Sequence, residues 1–308
     1  KLEREPVKHL AFDIYEHLEE SRRSLGEYIN CSKEDIAFFT NPSTALNTVL
    51  RSLDLKEGDE ILSTDHEYGA MDRAWNYLSK KKGIKYIKQK VNLPIESKEA
   101  FIKDFIKGVS SNTKVIFLSQ ITSPTALVFP VKEICDFARE KNIITIIDGA
   151  HVPGQIELDI KDMNPDFYSG ACHKWMCSPK GVAFLYTKKS FQNIIEPLVI
   201  SWGYEAENPS NSQFLDYLQW QGTNDMSAYL TIPDTIKFLK EKNWREISDE
   251  CQDLNHWAKK EIKDKLNIKD VSGNEFTAKQ MSSFFIKFDD PVNDQIEFYR
   301  KYKIQVPF

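Results

Sequence analysis

The chain has 308 residues, 41% of them hydrophobic and 28% charged, so it can bury a sizeable core and is too long for one small one. Its net charge of −5 is spread without a basic block, which argues against a nucleic-acid partner. No apolar run approaches the length of a membrane span, and the charged start Lys1-Leu-Glu-Arg-Glu-Pro6 lacks the apolar centre of an export signal, so a cytoplasmic protein is expected.

In chain order, Ala11–Ile29 reads as a helix, with Ile14, Leu18, Leu25 and Ile29 near helical spacing. A second helix is expected over Ala45–Leu53, where Leu46, Val49, Leu50 and Leu53 form one apolar face. Short runs rich in β-branched and aromatic residues follow, at Glu60–Ser63, Ile84–Gln89, Lys114–Ser119, Ile143–Ile147, Phe167–Gly170 and Val182–Tyr186. Amphipathic stretches over Met71–Lys80, Lys98–Lys107 and Val131–Glu140 separate the earlier runs. Such alternation predicts an α/β fold with a largely parallel sheet and helices on both faces. The later runs are too close together for helical crossovers, so at least one neighbouring pair there should be antiparallel. From Ile232 the chain turns helical and lysine-rich, with a strand expected at Ser282–Phe288 and a helix at Asp294–Tyr302. A boundary near Lys240 divides a large domain, 1–240, from a smaller α+β unit, 241–308, which looks incomplete at Phe308.

The five cysteines, Cys31, Cys135, Cys172, Cys177 and Cys251, are scattered, odd in number and without a C-x-x-C pair. They form neither a disulfide framework nor a zinc site, and no metal is expected. The chemistry lies elsewhere. Asp148 ends the apolar run Ile144–Ile147, where ligands of open α/β sheets sit. Lys174 lies between His173 and Trp175, ahead of a Pro-x-Gly turn. Either residue alone is as readily structural, Asp148 as a turn or cap and Lys174 as an ordinary lysine. Together they meet the two needs of pyridoxal 5′-phosphate. A partly desolvated amine forms the Schiff base, and a carboxylate keeps the pyridine nitrogen protonated so that the ring accepts electrons. Ser43 and Thr44, at a helix start, offer hydroxyls beside free N–H groups for a phosphate, although a plain N-cap would use the same residues. Tyr68, just past a strand, offers an aromatic face.

Six segments in order then carry a family resemblance. They are Asn41-Pro-Ser-Thr-Ala-Leu-Asn-Thr-Val-Leu-Arg-Ser-Leu53, Asp65-His-Glu-Tyr-Gly-Ala70, Ser123-Pro-Thr-Ala-Leu-Val-Phe-Pro-Val131, Asp148-Gly-Ala-His-Val-Pro-Gly-Gln155, His173-Lys-Trp175 and Trp220-Gln-Gly-Thr-Asn-Asp-Met-Ser-Ala-Tyr-Leu230. The chain resembles the class V aminotransferase superfamily of fold-type I pyridoxal-phosphate enzymes, in its isopenicillin N epimerase-like branch, near the cysteine desulfurases. The resemblance implies a mixed, mostly parallel sheet flanked by helices and a small α+β domain. It implies Lys174 as the Schiff-base lysine, Asp148 at the ring nitrogen, His151 near the ring hydroxyl, Tyr68 on the ring face and Ser123 beside the ring. Ser43, Thr44 and His173 match phosphate contacts. Gly222-Thr223 matches a loop that reaches a partner subunit's phosphate, which implies a homodimer with shared active sites. Two departures stand out: Ala171 replaces a phosphate-binding serine of the desulfurases, and Pro42 removes an N–H from the cradle. The family's carboxylate-binding arginine and the desulfurases' nucleophilic cysteine belong to a region beyond Phe308. The implied activity is epimerisation or C–S cleavage at the α-carbon of an amino acid, with desulfuration, transamination and a non-catalytic binding role as alternatives. The cofactor follows from the residues here, whereas the substrate does not.

Overall fold

The structure, a computed structural model, describes residues 2–306. Seven strands form one sheet: β1 Ile36–Phe39, β2 Glu60–Thr64, β3 Lys85–Gln89, β4 Thr113–Ser119, β5 Ile144–Gly149, β6 Phe167–Ala171 and β7 Ala183–Thr187. Their order is β1-β7-β6-β5-β4-β2-β3. From β3 to β6 all neighbours are parallel, while β7 runs antiparallel to both β6 and β1. The short link between β6 and β7 leaves no room for a helix and forces that reversal.

The central strands are buried on both faces, which is why they read as unbroken apolar runs. On β4, Val115 and Phe117 face one core, which includes Leu46, Val49, Leu50 and Trp75; Ile116 and Leu118 face the other, which includes Leu18, Ile134 and Leu239. Each core is roofed by helices. Pro42–Ser52, Gly69–Lys82 and Gln213–Gln219 lie on one side, and Ile14–Ile29, Lys98–Ile106, Val131–Glu140 and Ile232–Glu241 on the other. Ile14, Leu18, Leu25 and Ile29 are all buried, as their spacing predicts. That helix ends at Asn30 in the left-handed conformation, where the N–H of the following Cys31 returns to Gly26 O at 2.9 Å.

Several elements differ from the sequence reading, among them the additional helix Gln213–Gln219. β1 is an additional strand, only four residues long, with no alternation to mark it and a helix beginning three residues later. Residues 282–288, read as a strand, are irregular: Phe285 and Ile286 are exposed and among the described residues no strand pairs with the segment. A strand without a neighbour leaves its backbone groups to solvent and has nothing to define it.

The helix Trp244–Leu266 is fixed to the sheet domain near the end of β5. Trp244 Nε1 donates to Gly154 O at 2.6 Å and Ser248 Oγ to Gln155 O at 3.1 Å. Beyond it, residues 276–283 run beside 124–128. Val128 N donates to Phe276 O, Ala278 N to Ala126 O, and Ser283 Oγ to Pro124 O. Lys259, buried, secures this segment through Asp270, Ser272 O and Thr277 Oγ1. Among the described residues no helix is long and apolar enough to cross a membrane.

Candidate active site

The carboxyl ends of β4 and β5, the loops that follow them and the start of the Pro42–Ser52 helix enclose a cavity of about 150 Å³. Ser43, Tyr68, Ser123, Asp148, His151, His173 and Lys174 all line it, brought together from five segments of the chain.

Asp148 is buried at the end of β5, and its Oδ1 accepts the Ala150 N–H at 3.0 Å. Burial pushes its carboxyl above the usual range, while the Ala150 N–H and the charge of Lys174 pull it back. Lys174 sits on the turn after β6. Burial lowers its pKa and nearby Lys180 adds to that, against the attraction of Asp148. Its Nζ lies 3.0 Å from His151 Nε2. Trp175 Nε1 donates to the other ring nitrogen, Nδ1, at 3.4 Å. An indole only donates, so Nδ1 accepts and the neutral imidazole carries its proton on Nε2. That proton faces Lys174, whose amine accepts it in the uncharged form. Burial, with Lys174 nearby, lowers the His151 pKa to about 4, so the ring is neutral at physiological pH.

Gly154 makes this closeness possible. It has φ +84, and a Cβ there would fall 2.4 Å from the backbone carbonyl atoms of Trp175. Only glycine lets the Asp148–Gln155 turn lie against the Lys174–Trp175 turn. Gln155 completes the turn, donating to His151 O at 2.8 Å and accepting the Gln280 N–H at 3.0 Å.

Tyr68 stands at the wall, 46% exposed, and begins the Gly69–Lys82 helix. Ser123 lies in a loop held by the Thr122–Thr125 hydroxyl pair and by His66 Nδ1, 2.9 Å from Thr125 Oγ1. His173 Nδ1 accepts the Val182 N–H at 3.2 Å, and burial lowers the pKa of its ring. At the helix start Asn41 is the N-cap and lines the cavity with Pro42 and Ser43. Thr44 does not line it; its N–H and hydroxyl are both committed to Asn41 Oδ1, at 2.9 and 3.1 Å. Nor do Gly222 and Thr223. Thr223 borders a separate cavity of about 1530 Å³ with Arg22, Trp202 and Trp220. Asn41, Gly154 and Glu67 are contributors to which the sequence reading gave no role, although all three lie within the quoted segments. None of the five cysteines lines the small cavity, and among the described residues no cluster of His, Cys, Asp or Glu could hold a metal ion.

The aminotransferase class-V family model matches residues 3–306. The chain belongs to the aminotransferase class-V family. Members of this family are pyridoxal 5′-phosphate enzymes. Among its relatives, the isopenicillin N epimerase of Streptomyces clavuligerus is 30% identical over 272 residues, 85% of this chain and 68% of that protein. The isopenicillin N epimerase of Amycolatopsis lactamdurans is 31% identical over 247 residues, 76% of this chain. The chain spans 62% of the length of that relative. An apo cysteine desulfurase from Thermococcus onnurineus NA1 shares the fold, with a TM-score of 0.78 at 20% identity, covering 94% of this chain and 72% of the other.

The donor set fits the family's cofactor. Among the described residues Asp148 is a buried carboxylate with no ion pair, a costly arrangement unless a cationic group meets it in the cavity. A desolvated amine, an aromatic face and a helix start open onto the same space.

Proposed function

We propose that this chain is a pyridoxal 5′-phosphate enzyme acting at the α-carbon of an amino-acid substrate, of the epimerase or C–S lyase type. The observation that supports it most strongly is that Lys174 and Asp148 face one cavity, with Lys174 Nζ 3.0 Å from His151 Nε2. Lys174 Nζ would hold the cofactor covalently, Asp148 its ring nitrogen, His151 its ring hydroxyl, and Tyr68 and Ser123 its faces and edge. Ser43 and His173 would take the phosphate, joined by Thr44 once its hydroxyl turns from Asn41. When bound, the cofactor supplies an electron sink for charge developing at the α-carbon. Lys174 Nζ would take the α-proton and return it as a general base and acid. Burial, which lowers its pKa, favours the uncharged amine that this exchange requires.

In this reading the protein is a cytoplasmic homodimer in which Gly222-Thr223 of each subunit reaches the other's phosphate site. Residues 1–240 form the cofactor-binding domain and 241–308 part of a smaller one. The names of the epimerase relatives support racemising chemistry.

The test incubates cofactor-loaded protein separately with L-cysteine, cysteine conjugates and other L-amino acids in deuterium oxide. Deuterium at the α-carbon of intact substrate indicates an epimerase. Pyruvate with a released thiol indicates a C–S lyase. Persulfide from cysteine, or no reaction with any of them, overturns the proposal.

A further inference from the structure

Glu67 is a buried carboxylate directly behind the cavity wall. Its Oε1 accepts the Thr64 hydroxyl at 2.6 Å, at the end of β2. Its Oε2 accepts both the N–H and the hydroxyl of Ser119, at 2.9 and 2.5 Å, at the end of β4. Ser119 pairs in register with Asp148 on β5, and both line the cavity; the next residue along the chain is Tyr68. Glu67 thus ties the ends of two strands to the cavity's ring-facing wall.

All three donors are neutral. They solvate a carboxylate without cancelling its charge. Hydrogen bonding alone could be met by a glutamine; a carboxylate adds a negative charge behind Asp148. The other titratable groups facing it are Asp148 and, from β3, Tyr86. Tyr86 donates at 2.8 Å to Asp72 on the Gly69–Lys82 helix, and Asp72 is paired with Lys88 at 2.7 Å. Burial pushes the Glu67 carboxyl up to about 7, with Asp148 adding to the rise and the Ser119 and Thr64 hydrogen bonds opposing it.

We propose that Glu67 is a positioning residue that acts through Asp148: it fixes Ser119 beside Asp148, and its negative charge holds a proton on the cofactor ring in the cavity. The proposal rests on the reading that the cofactor binds there. It asks of Glu67 a charge, where a structural anchor would ask only for hydrogen bonds.

Glu67→Gln separates the two roles. Its amide oxygen can accept both Ser119 donors, and its NH₂ can meet the Thr64 hydroxyl, so the contacts survive while the charge is lost. The measurement is the visible absorbance of cofactor-loaded protein against pH. Removing a negative charge makes a nearby proton easier to lose, so the midpoint should fall in Glu67→Gln by on the order of one pH unit, the low end of a neighbouring charge's effect. Thr64→Val keeps the carboxylate but deletes one donor, raising the Glu67 pKa, and should move the midpoint the same way by less. It supplies the reading if Glu67→Gln does not fold. A visible band with an unchanged midpoint in the folded variants overturns this proposal alone. No visible band in the unaltered protein overturns the cofactor reading and this proposal together.

Discussion

Replacing His151 with leucine should raise the pKa of Lys174. The chain of contacts from Trp175 Nε1 to His151 Nδ1, and from His151 Nε2 to Lys174 Nζ at 3.0 Å, supports an uncharged amine. Leucine keeps the volume and dryness of the site and removes only the donated hydrogen bond. A net hydrogen bond contributes about 0.5–1.5 kcal/mol, and 1.36 kcal/mol corresponds to one pKa unit, so the rise should be about 0.4–1.1 units. The sign follows from the state stabilised: the bond favours the neutral amine, so its loss favours the charged one. Cofactor-free protein is labelled briefly with acetic anhydride across pH, and acetylation of Lys174 is read by mass spectrometry. Only the neutral amine reacts, so the midpoint of the labelling curve tracks its pKa. A midpoint that stays in place, or moves to lower pH, would refute the assigned tautomer and its effect on Lys174.

Three further outcomes concern stability and assembly of the site. Lys259→Met leaves Ser272 O and Thr277 without their donor and Asp270 with only Lys263; it should cost about 3 kcal/mol, the low end for a broken buried pair, in urea unfolding. The amides of Val128 and Ala278 should then exchange faster, because they make the pairing that this segment loses. Gly154→Ala places a side chain at φ +84 against the Trp175 backbone and should destabilise the protein by about 1–3 kcal/mol, with weaker cofactor retention than a surface Gly→Ala control. For Glu67 the native pKa is raised from 4.5 to about 7, so the folded state binds the extra proton between those values. Stability from this group is present at low pH and is lost as pH rises through that window. Unaltered protein compared with Glu67→Gln by urea unfolding at pH 5 and pH 8 should therefore lose ground at pH 8; equal differences at both would contradict the carboxyl's burial. His151, with its pKa lowered from 6.5 to about 4, acts in the opposite direction, destabilising the protein as pH falls through that range.

Much of the fold was legible because its cause is local. Buried parallel strands must be apolar on both faces, so β4 and β5 declared themselves as continuous runs, and the spacing of Ile14, Leu18, Leu25 and Ile29 marked a helix with one buried face. β1 escaped because four residues between a 3₁₀ turn and a helix show no period. The irregular 282–288 segment misled because its composition is strand-like, whereas strand structure depends on a neighbour that composition does not reveal. Within the site, Asp148 and Lys174 were readable from strand ends and unusual company. The role of Gly154 was not, since it depends on contact with Trp175, twenty-one positions away in sequence. The bond from the Thr44 hydroxyl to the capping Asn41 was equally hidden, since a hydroxyl at a helix start does not disclose its partner in sequence.

The proposed attachment of pyridoxal 5′-phosphate to Lys174 is open to a direct measurement. Protein saturated with the cofactor is reduced with borohydride, digested, and its peptides mapped by mass spectrometry. The peptide containing Lys174 should carry one reduced pyridoxyl phosphate group, and Lys174→Ala protein should carry none in that region. Label on another lysine, or no label on protein that remains folded, would contradict the assignment of this cavity as the active site.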